Sequence, residues 1–175
     1  HSGDTSELFF DDLIVTTADI LGGEGQGFVN MMKELPRERL ILGVGCVGAA
    51  QGAFDLTVAY ITERQAFGQA VSGFQNSRYK LAEMKTDIEL CRAMAEKYTA
   101  QFIAGELTSA EASMLKLAAS EMQGRVADQC VQLFGGYGYM TEYPISRAYL
   151  DARIQRIYGG TSEIMKELIS RSIVS

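Results

Sequence analysis

The sequence predicts an all-α fold: an antiparallel four-helix-type bundle with shorter C-terminal helices, preceded by a short β remnant of a truncated middle domain. Three observations predict it: long apolar stripes with helical period, short joints between them, and a strand-like, glycine-broken segment at the start. The chain has 175 residues, of which 47% are hydrophobic and 22% are charged, and only 2 are prolines. This composition is typical of one globular domain that can bury its own core.

The first 27 residues are expected to be separate from the bundle. His1 and Ser2 are typical of a scar left by cleavage of an expression tag, and residues 3–27 are predicted to be the end of a middle β-domain and a linker. Residues 8–10 and 13–15 are apolar runs of strand type, and glycines follow them. Such a segment is too small to bury itself, so we expect it to be the last strand of a domain whose remainder lies outside this chain.

Residues 28–175 are predicted to form a C-terminal helical bundle domain. Apolar residues recur at intervals of three, four or seven, which is the period of one buried helix face. The three stripes are Leu40, Val44, Val47, Phe54, Val58 and Ile61; Leu81, Met84, Ile88, Cys91, Ala95, Tyr98 and Phe102; and Leu115, Ala119, Met122, Val126, Cys130 and Leu133. Shorter helices are predicted over residues 147–155 and 162–172.

Two features near the first stripe need a structural explanation. Pro36 either starts a helix at its first turn or kinks a longer helix. Gly43, Gly45 and Gly48 match the GxGxxG pattern of dinucleotide-binding folds. That pattern binds pyrophosphate only between a strand and a helix, and no strand is predicted before these glycines. We therefore expect them to allow close approach of another helix or a ligand.

Charge, histidine and cysteine content exclude several classes of protein. The 22 acidic and 16 basic residues give a net charge of −6, which argues against a nucleic-acid binder. His1 is the only histidine, so Ser-His-Asp catalysis, Cys-His catalysis and histidine-ligated metal sites are excluded. The cysteines lie in apolar helical patterns without a CxxC pair, which favours buried, reduced thiols in an intracellular protein. No apolar run reaches the roughly 20 residues that span a bilayer.

Four clusters of polar residues and glycines interrupt the bundle at expected helix ends. Glu38 in the first is either a first-turn acid favoured by the helix dipole or a general base. Arg64 in the second either offsets a helix C-terminus or binds a phosphate. The third and fourth contain more glycine than a helix cap needs, and leave amides free for an anion or a carbonyl. Together they suggest a phosphate-containing cofactor; they cover residues 35–40, 64–68 with 74–75, 132–138 and 157–164.

The combination of these motifs resembles the acyl-CoA dehydrogenase family. The resemblance runs from residue 6 onward, and it implies that the bundle is the family's C-terminal domain and that the preceding segment ends its middle β-domain. The matching segments, in the family's order and spacing, are Gly23–Phe28, Arg64-x-x-Phe67-Gly68, Gln132–Gly136, Asp151-Ala152-Arg153 and Ile157–Thr161. The long-chain type is resembled by Leu35-Pro36-x-Glu38-Arg39-Leu40, Tyr149-x-Asp151-Ala152-Arg153 and Ile164-Met165-Lys166-Glu167-Leu168.

One departure from the common family pattern indicates where the base is expected. Many members carry a glutamate in a Tyr-Glu-Gly-Thr turn, where this chain has Tyr158-Gly159-Gly160-Thr161. A subset similar to the long-chain and isovaleryl enzymes carries its base in a Glu-Arg-Leu context on the first helix of the bundle. The resemblance therefore implies Glu38 as catalytic base in α,β-dehydrogenation of an acyl-CoA thioester, with the β-hydride passing to N5 of FAD.

The resemblance also implies how the other site residues divide between cofactor and substrate. The thioester side would be lined by Arg37, Arg39, Gly159 and Gly160, and no metal is expected. FAD would be bound, partly from a neighbouring subunit, by Arg64, Gln75, Gln132, Leu133, Phe134, Gly135, Gly136, Thr161, Ser162 and Glu163.

The partners implied by the resemblance are an acyl-CoA substrate, a second copy in a homodimer or homotetramer, and an electron-transfer flavoprotein. The implied compartment is the bacterial cytoplasm or the mitochondrial matrix, with no membrane span. The same fold hosts flavin monooxygenases and oxidases, and an oxidase resembling nitroalkane oxidase would need an aspartate at position 159. A non-catalytic oligomerisation bundle is the remaining alternative. The isolated chain is expected to be inactive, because much of the family's site lies in domains outside it.

Overall fold

The structure is a computed structural model, and it describes residues 6–174. Two short antiparallel strands, β1 (Gln65–Ala66) and β2 (Gln69–Ala70), pair with Gln65 opposite Ala70. Turns of 3-10 helix cover Thr17–Asp19, Val71–Gly73 and Gly135–Tyr139. The predicted all-α class is confirmed by the helices, which are α1 (Gly27–Glu63), α2 (Gln75–Ile103), α3 (Ser109–Phe134), α4 (Pro144–Ile154) and α5 (Ser162–Arg171).

Helix α3 is the central element of the bundle. It packs against α1, α2, α4 and α5, and its buried residues lie on more than one side of the helix. Its start is fixed by a capping box, in which the Thr108 hydroxyl accepts from the amide of Glu111 at 3.2 Å. The Glu111 carboxylate accepts in return from the amide of Thr108 at 3.0 Å. This reciprocal pair satisfies two backbone donors that a helix start leaves free.

The predicted stripes of α2 and α3 are confirmed except at their ends. Every middle member is buried, whereas Leu81 and Leu133 are half-buried and Phe102 is exposed. The stripe of α1 is only partly right, because Val44 is exposed and Val58 is half-buried. The buried face of α1 is built instead from smaller residues that a pattern of large apolar residues misses: Gly43, Cys46, Ala50, Ala53 and Thr57.

The three cysteines are free and buried, as the sequence predicted. Burial raises the pKa of the Cys46 thiol to about 12 and that of Cys130 to about 11. Burial also raises the pKa of Cys91. These thiols are therefore neutral near pH 7, and they serve the core as small apolar side chains.

Helix α1 begins earlier than a start at Pro36 would allow. It runs for 37 residues from Gly27, so Pro36 lies in its interior and cannot donate a helical hydrogen bond to the carbonyl of Met32. Glu38 is consequently well past the first turn. The interpretation of Glu38 as a first-turn acid is wrong, because the positive end of the helix dipole acts within that turn.

The expected strands at the start of the chain are not formed. Residues 6–16 contain no strand and are exposed, including Phe9 at 87% and Ile14 at 90%. A strand needs a partner for its backbone groups, and the described part of this chain supplies none here. Their assignment to a middle β-domain stays a prediction, and His1 and Ser2 lie outside the described residues.

Helix α1 is long and apolar enough to cross a membrane by length and composition. One face of it packs into the core against α3. A single such helix is weak evidence for a membrane span, since the core helix of a bundle passes the same test.

The GxGxxG match lies inside α1, with no strand before it in residues 6–26. Gly43 is where α3 comes closest, because a Cβ there would lie 2.5 Å from Cγ of Leu115. The expectation of a close helix approach is therefore confirmed at Gly43. At Gly45 and Gly48 a Cβ would meet nothing within 4 Å.

Gly43→Ala is expected to lower the free energy of unfolding by about 1–3 kcal/mol, because the added methyl overpacks the contact with Leu115. Gly48→Ala is the matched control on the same helix. It is expected to raise that free energy by up to about 1 kcal/mol, because alanine favours the helix and meets no neighbour. Urea unfolding followed by circular dichroism measures both. Equal effects of the two substitutions would contradict the close packing at Gly43.

Candidate functional site

A tight turn between α4 and α5 is held from inside the bundle by two buried cations. Gly159 and Gly160 have φ of +66° and +106°, which only glycine adopts readily. Arg39 of α1 donates from Nε to the carbonyl of Gly159 at 3.3 Å. Lys116 of α3 donates from Nζ to the carbonyl of Gly160 at 2.6 Å. The two cations are 6% and 0% exposed, so the carbonyls they bind point into the bundle.

The inward carbonyls determine where the amides of the turn point. In a trans peptide the N–H lies opposite the C=O, so the amides of Gly160 and Thr161 point away from the cations. Neither amide donates to an acceptor within residues 6–174, whereas the amide of Ser162 closes the turn onto the carbonyl of Arg156 at 3.2 Å. The amides of Gly160 and Thr161 are thus free donors, which suit an anion or a polarised carbonyl.

Glu38 lies beside this turn on α1. A Cβ on Gly159 would lie 3.3 Å from Cδ1 of Leu42, and Leu42 follows Glu38 by one turn on the same helix face. Glu38 is exposed, and it makes no ion pair with a described side chain. Arg37 is less closely tied to the turn, because its Nη1 pairs with Glu34 at 3.2 Å on the surface.

Burial shifts the pKa of both cations that hold the turn. Burial lowers the pKa of Arg39, and the neighbouring charge of Glu38 opposes that shift. Burial also lowers the pKa of Lys116, opposed most by Cys46 and further by Glu121. Buried cations need compensation, and here backbone carbonyls and nearby carboxylates provide it.

The start of α5 is fixed by the residues that follow the turn. Thr161 caps the helix, its hydroxyl accepting from the amide of Ile164 at 3.4 Å. Ser162 is buried and donates to Oε1 of Glu121 at 2.8 Å. Glu163 is exposed, and a hydrogen bond from its own backbone amide, with one from Thr161, lowers its pKa. Of these three predicted cofactor residues, Ser162 has its hydroxyl engaged inside the bundle.

A second site is a cleft of about 610 Å³ that brings the second and third clusters together. The guanidinium of Arg64 lies 5.4 Å from the centroid of the Tyr137 ring at one wall. The side chain of Phe134 turns inward and stacks on Tyr60 at 4.0 Å, which leaves its backbone to the cleft. The lining residues are Arg64, Val71, Gln132, Leu133, Phe134, Gly135, Gly136, Tyr137 and Met140.

The three glycines of the segment 132–138 are explained by different features of the structure. Gly135 ends α3 with φ of +64°. Gly138 is buried, and a Cβ there would lie 2.7 Å from the carbonyl oxygen of Val131. Gly136 has neither a positive φ nor a neighbour within 4 Å of an added Cβ. Packing within this chain therefore does not explain Gly136, although an approaching ligand would.

The structure does not bring all predicted cofactor residues together. Gln75 is the exposed first residue of α2, donates to the hydroxyl of Tyr79, and lies outside the lining of the cleft. Ser162 contacts α3 at Glu121, eleven residues before Gln132, which corresponds to about 16 Å along the helix. The residues at the start of α5 and those of the cleft thus form two separate groups.

Two residues that the structure brings to attention, Lys116 and Phe67, were not among the site residues predicted from the sequence. Lys116 can be noticed in the sequence, since it is the single charged residue within the segment 112–120. Phe67 appeared only as part of a motif, yet it is 97% exposed at the tip of the β1–β2 hairpin with φ of +52°. An exposed aromatic residue in a strained conformation is a candidate for contact with a ligand or partner.

Gly160→Ala is expected to lower the free energy of unfolding by about 1–3 kcal/mol, because φ of +106° is strained for alanine. The added Cβ would also lie 2.6 Å from Cε of Met165. Gly136→Ala is the matched control and is expected to change stability by less than about 0.5 kcal/mol. Thermal and urea unfolding measure both; a neutral Gly160→Ala would show that the turn is not held as described.

Comparison with known proteins identifies the family of the chain. A family model described as acyl-CoA dehydrogenase, C-terminal domain, matches residues 25–174. The mitochondrial long-chain specific acyl-CoA dehydrogenase of Rattus norvegicus is 51% identical over 172 residues, 98% of this chain and 40% of that protein. The structure of an acyl-CoA dehydrogenase from Geobacillus kaustophilus superposes with a TM-score of 0.91 at 43% identity, covering 94% of this chain and 43% of that one. An acyl-CoA dehydrogenase complexed with FAD from Bacillus anthracis gives a TM-score of 0.82 at 30% identity, covering 86% and 29%.

The chain spans less than half the length of each of these relatives. The match to the family model nonetheless covers most of the chain, and it includes the turn, Glu38 and the cleft. The resemblance inferred from the sequence is confirmed, including its similarity to the long-chain type. The chain belongs to the acyl-CoA dehydrogenase family of oxidoreductases, and it corresponds to the family's C-terminal domain.

Proposed function

We propose that this chain is the C-terminal part of a longer enzyme that dehydrogenates acyl-CoA thioesters between the α and β carbons, with FAD as cofactor. The observation that carries the proposal is that Arg39 and Leu42, which follow Glu38 by one residue and by one turn, both contact a turn whose free amides point away from two buried cations. Such a site combines a carboxylate with backbone donors, as proton removal next to a carbonyl requires.

Glu38 is proposed to remove the α-proton. The guanidinium of Arg39 is held by the carbonyl of Gly159, so it does not pair with the neighbouring carboxylate. Glu38 is therefore free to accept a proton. An acyl chain that covers Glu38 would exclude water from the carboxylate and increase its reactivity.

The turn is proposed to bind the thioester carbonyl. The free amides of Gly160 and Thr161 would stabilise the negative charge that develops on that oxygen as the α-proton leaves. Gly159 has no side chain, which leaves space for the substrate next to Leu42. Arg37, on the surface one residue before Glu38, is proposed to lie on the same side.

The cleft is proposed to hold part of FAD. Arg64 forms no ion pair within residues 6–174, so its guanidinium is available for a phosphate. The open approach to Gly136 suits a ligand that lies against the backbone. When bound, FAD would accept the hydride released from the β-carbon of the substrate. Gln132 and the backbone of Leu133, Phe134 and Gly135 would complete this wall, with Gln75 at its edge.

A second copy of the chain is proposed to complete the flavin site. The start of α5, with Thr161, Ser162 and Glu163, lies about 16 Å along α3 from the cleft. We propose that a flavin shared between two copies contacts the cleft of one copy and the start of α5 of the other. The exposed Phe67 hairpin suits such an interface. From the family resemblance, we also propose that an electron-transfer flavoprotein accepts the electrons from the reduced flavin. The proposed compartment of the enzyme is the bacterial cytoplasm or the mitochondrial matrix.

Glu38→Gln in the full-length protein is expected to slow flavin reduction by about 10²- to 10⁴-fold, because the amide cannot remove the α-proton. The flavin-loaded protein is mixed with a series of acyl-CoA thioesters without oxygen, and loss of the visible flavin absorbance is followed. Glu34→Gln, one turn earlier on α1, is the control and should reduce flavin at the wild-type rate. The chain length that reacts fastest identifies the substrate.

Each other outcome of that experiment contradicts a defined part of the proposal. Equal rates for wild type and Glu38→Gln would place the base elsewhere. No reduction of the wild-type flavin by any thioester would remove the dehydrogenase function. A flavin monooxygenase, an oxidase or an oligomerisation bundle would then be favoured.

The isolated chain is expected to reduce no flavin when it is given FAD and acyl-CoA. It spans 40% of the rat relative, and the side chains of Phe9 and Ile14 are exposed. The substrate site therefore lacks walls that other domains would supply. The same absorbance measurement tests this, with the full-length protein as positive control. Measurable reduction by the isolated chain would show that these domains are dispensable.

A further inference from the structure

Lys116 is the largest fully buried side chain in the described part of the chain. It lies in α3 next to Leu115, which packs against Gly43 of α1. Its ammonium donates to one backbone carbonyl, that of Gly160, at 2.6 Å. A buried ammonium is unfavourable without partners, and apolar residues usually stabilise a core at least as well. Packing alone therefore does not explain a lysine at this position.

The charged and titratable groups that surround Lys116 come from three helices. Arg39 and Cys46 belong to α1, Glu121 belongs to α3 itself, and Glu163 belongs to α5. Within the described residues, none of these side chains forms a direct ion pair with the ammonium. The close contact of Lys116 is with the turn and not with a carboxylate.

The turn depends on contacts from outside itself. Among residues 159–161, no amide donates to a described acceptor. The carbonyl of Gly159 is held by Arg39, and the carbonyl of Gly160 is held by Lys116. Removing either donor would free one peptide unit to rotate, because glycine has little steric restriction on φ and ψ.

We propose that Lys116 is a positioning residue for the reaction, fixing the Gly160 carbonyl so that the amide of Thr161 faces the space beside Glu38. This inference rests on the proposed function. A positioning role differs from a role in stability, because here the ammonium of Lys116 determines the direction of one peptide unit. Arg39 does the same for the preceding unit, so each cation orients one amide.

The test uses Lys116→Met in the full-length, flavin-loaded protein, because methionine keeps the volume and the apolar stem but removes the donor. Flavin reduction at saturating acyl-CoA is expected to slow by about 10- to 100-fold, the size expected from a misplacement of about 1 Å. The melting temperature is expected to change little, since removal of a buried charge offsets the hydrogen bond that the Gly160 carbonyl loses.

Val126→Ala on the same helix is the matched control, because Val126 is 1% exposed and packs in the core away from the turn. It is expected to lower the melting temperature while reduction stays within about twofold of wild type. If Lys116→Met reduces flavin at the wild-type rate, the proposal is wrong. It is also wrong if the rate falls only together with the melting temperature, as for a purely structural residue.

Hydrogen exchange separates this proposal from the proposed function. The amides of Ser162, Ile164 and Met165 are bonded across the turn and its cap. Lys116→Met is expected to speed their exchange, measured by mass spectrometry on peptides covering 157–165, whereas Val126→Ala leaves those peptides unchanged. If exchange is faster in a protein that reduces no flavin with any thioester, Lys116 does hold the turn but the proposed dehydrogenase function is wrong. If exchange is unchanged, Lys116 does not hold the turn, whatever the activity.

Discussion

The close contact of α1 with α3 at Gly43 and Leu115 is the constraint on which the candidate site depends. Because no Cβ intervenes at Gly43, the two helices approach closely enough for Leu115 to lie against the α1 backbone. Lys116 follows Leu115, and Arg39 precedes Gly43 by one turn on the same face. The packing of α1 on α3 therefore also places Arg39 and Lys116 where they can donate to the carbonyls of one turn. The same helix contact thus stabilises the core and positions the candidate site.

Several features of the chain are not explained by contacts among residues 6–174. The apolar side chains of Phe9 and Ile14 are exposed, Phe67 is held at the tip of a hairpin, and Gly136 borders open space. Each of these would be unfavourable or unnecessary in a free-standing bundle. Together they indicate surfaces that are completed by something else, which agrees with a chain that spans less than half of its relatives.

Local sequence pattern predicted most of the fold. The stripes of α2 and α3 were correct because those helices bury regularly spaced large residues, and Cys91 and Cys130 lie among them. The early start of α1 is one of the two alternatives that Pro36 left open, because proline suits the first turn of a helix and also occurs inside a longer one. The strands expected at residues 8–10 and 13–15 are not formed, because pairing requires a partner strand and residues 6–174 supply none there.

The sequence by itself determined the helical class, the family and the residue types of the site, because these depend on periodicity and on short motifs such as Glu38-Arg39-Leu40. Only the tertiary structure decided the direction of each group. Arg39 points inward and donates to the carbonyl of Gly159, while Glu38 stays at the surface. Lys116, a single charge in an uncharged segment of the sequence, donates to the carbonyl of Gly160 in the structure. Adjacent residues on a helix point about 100° apart, so their roles depend on which neighbour packs against each face.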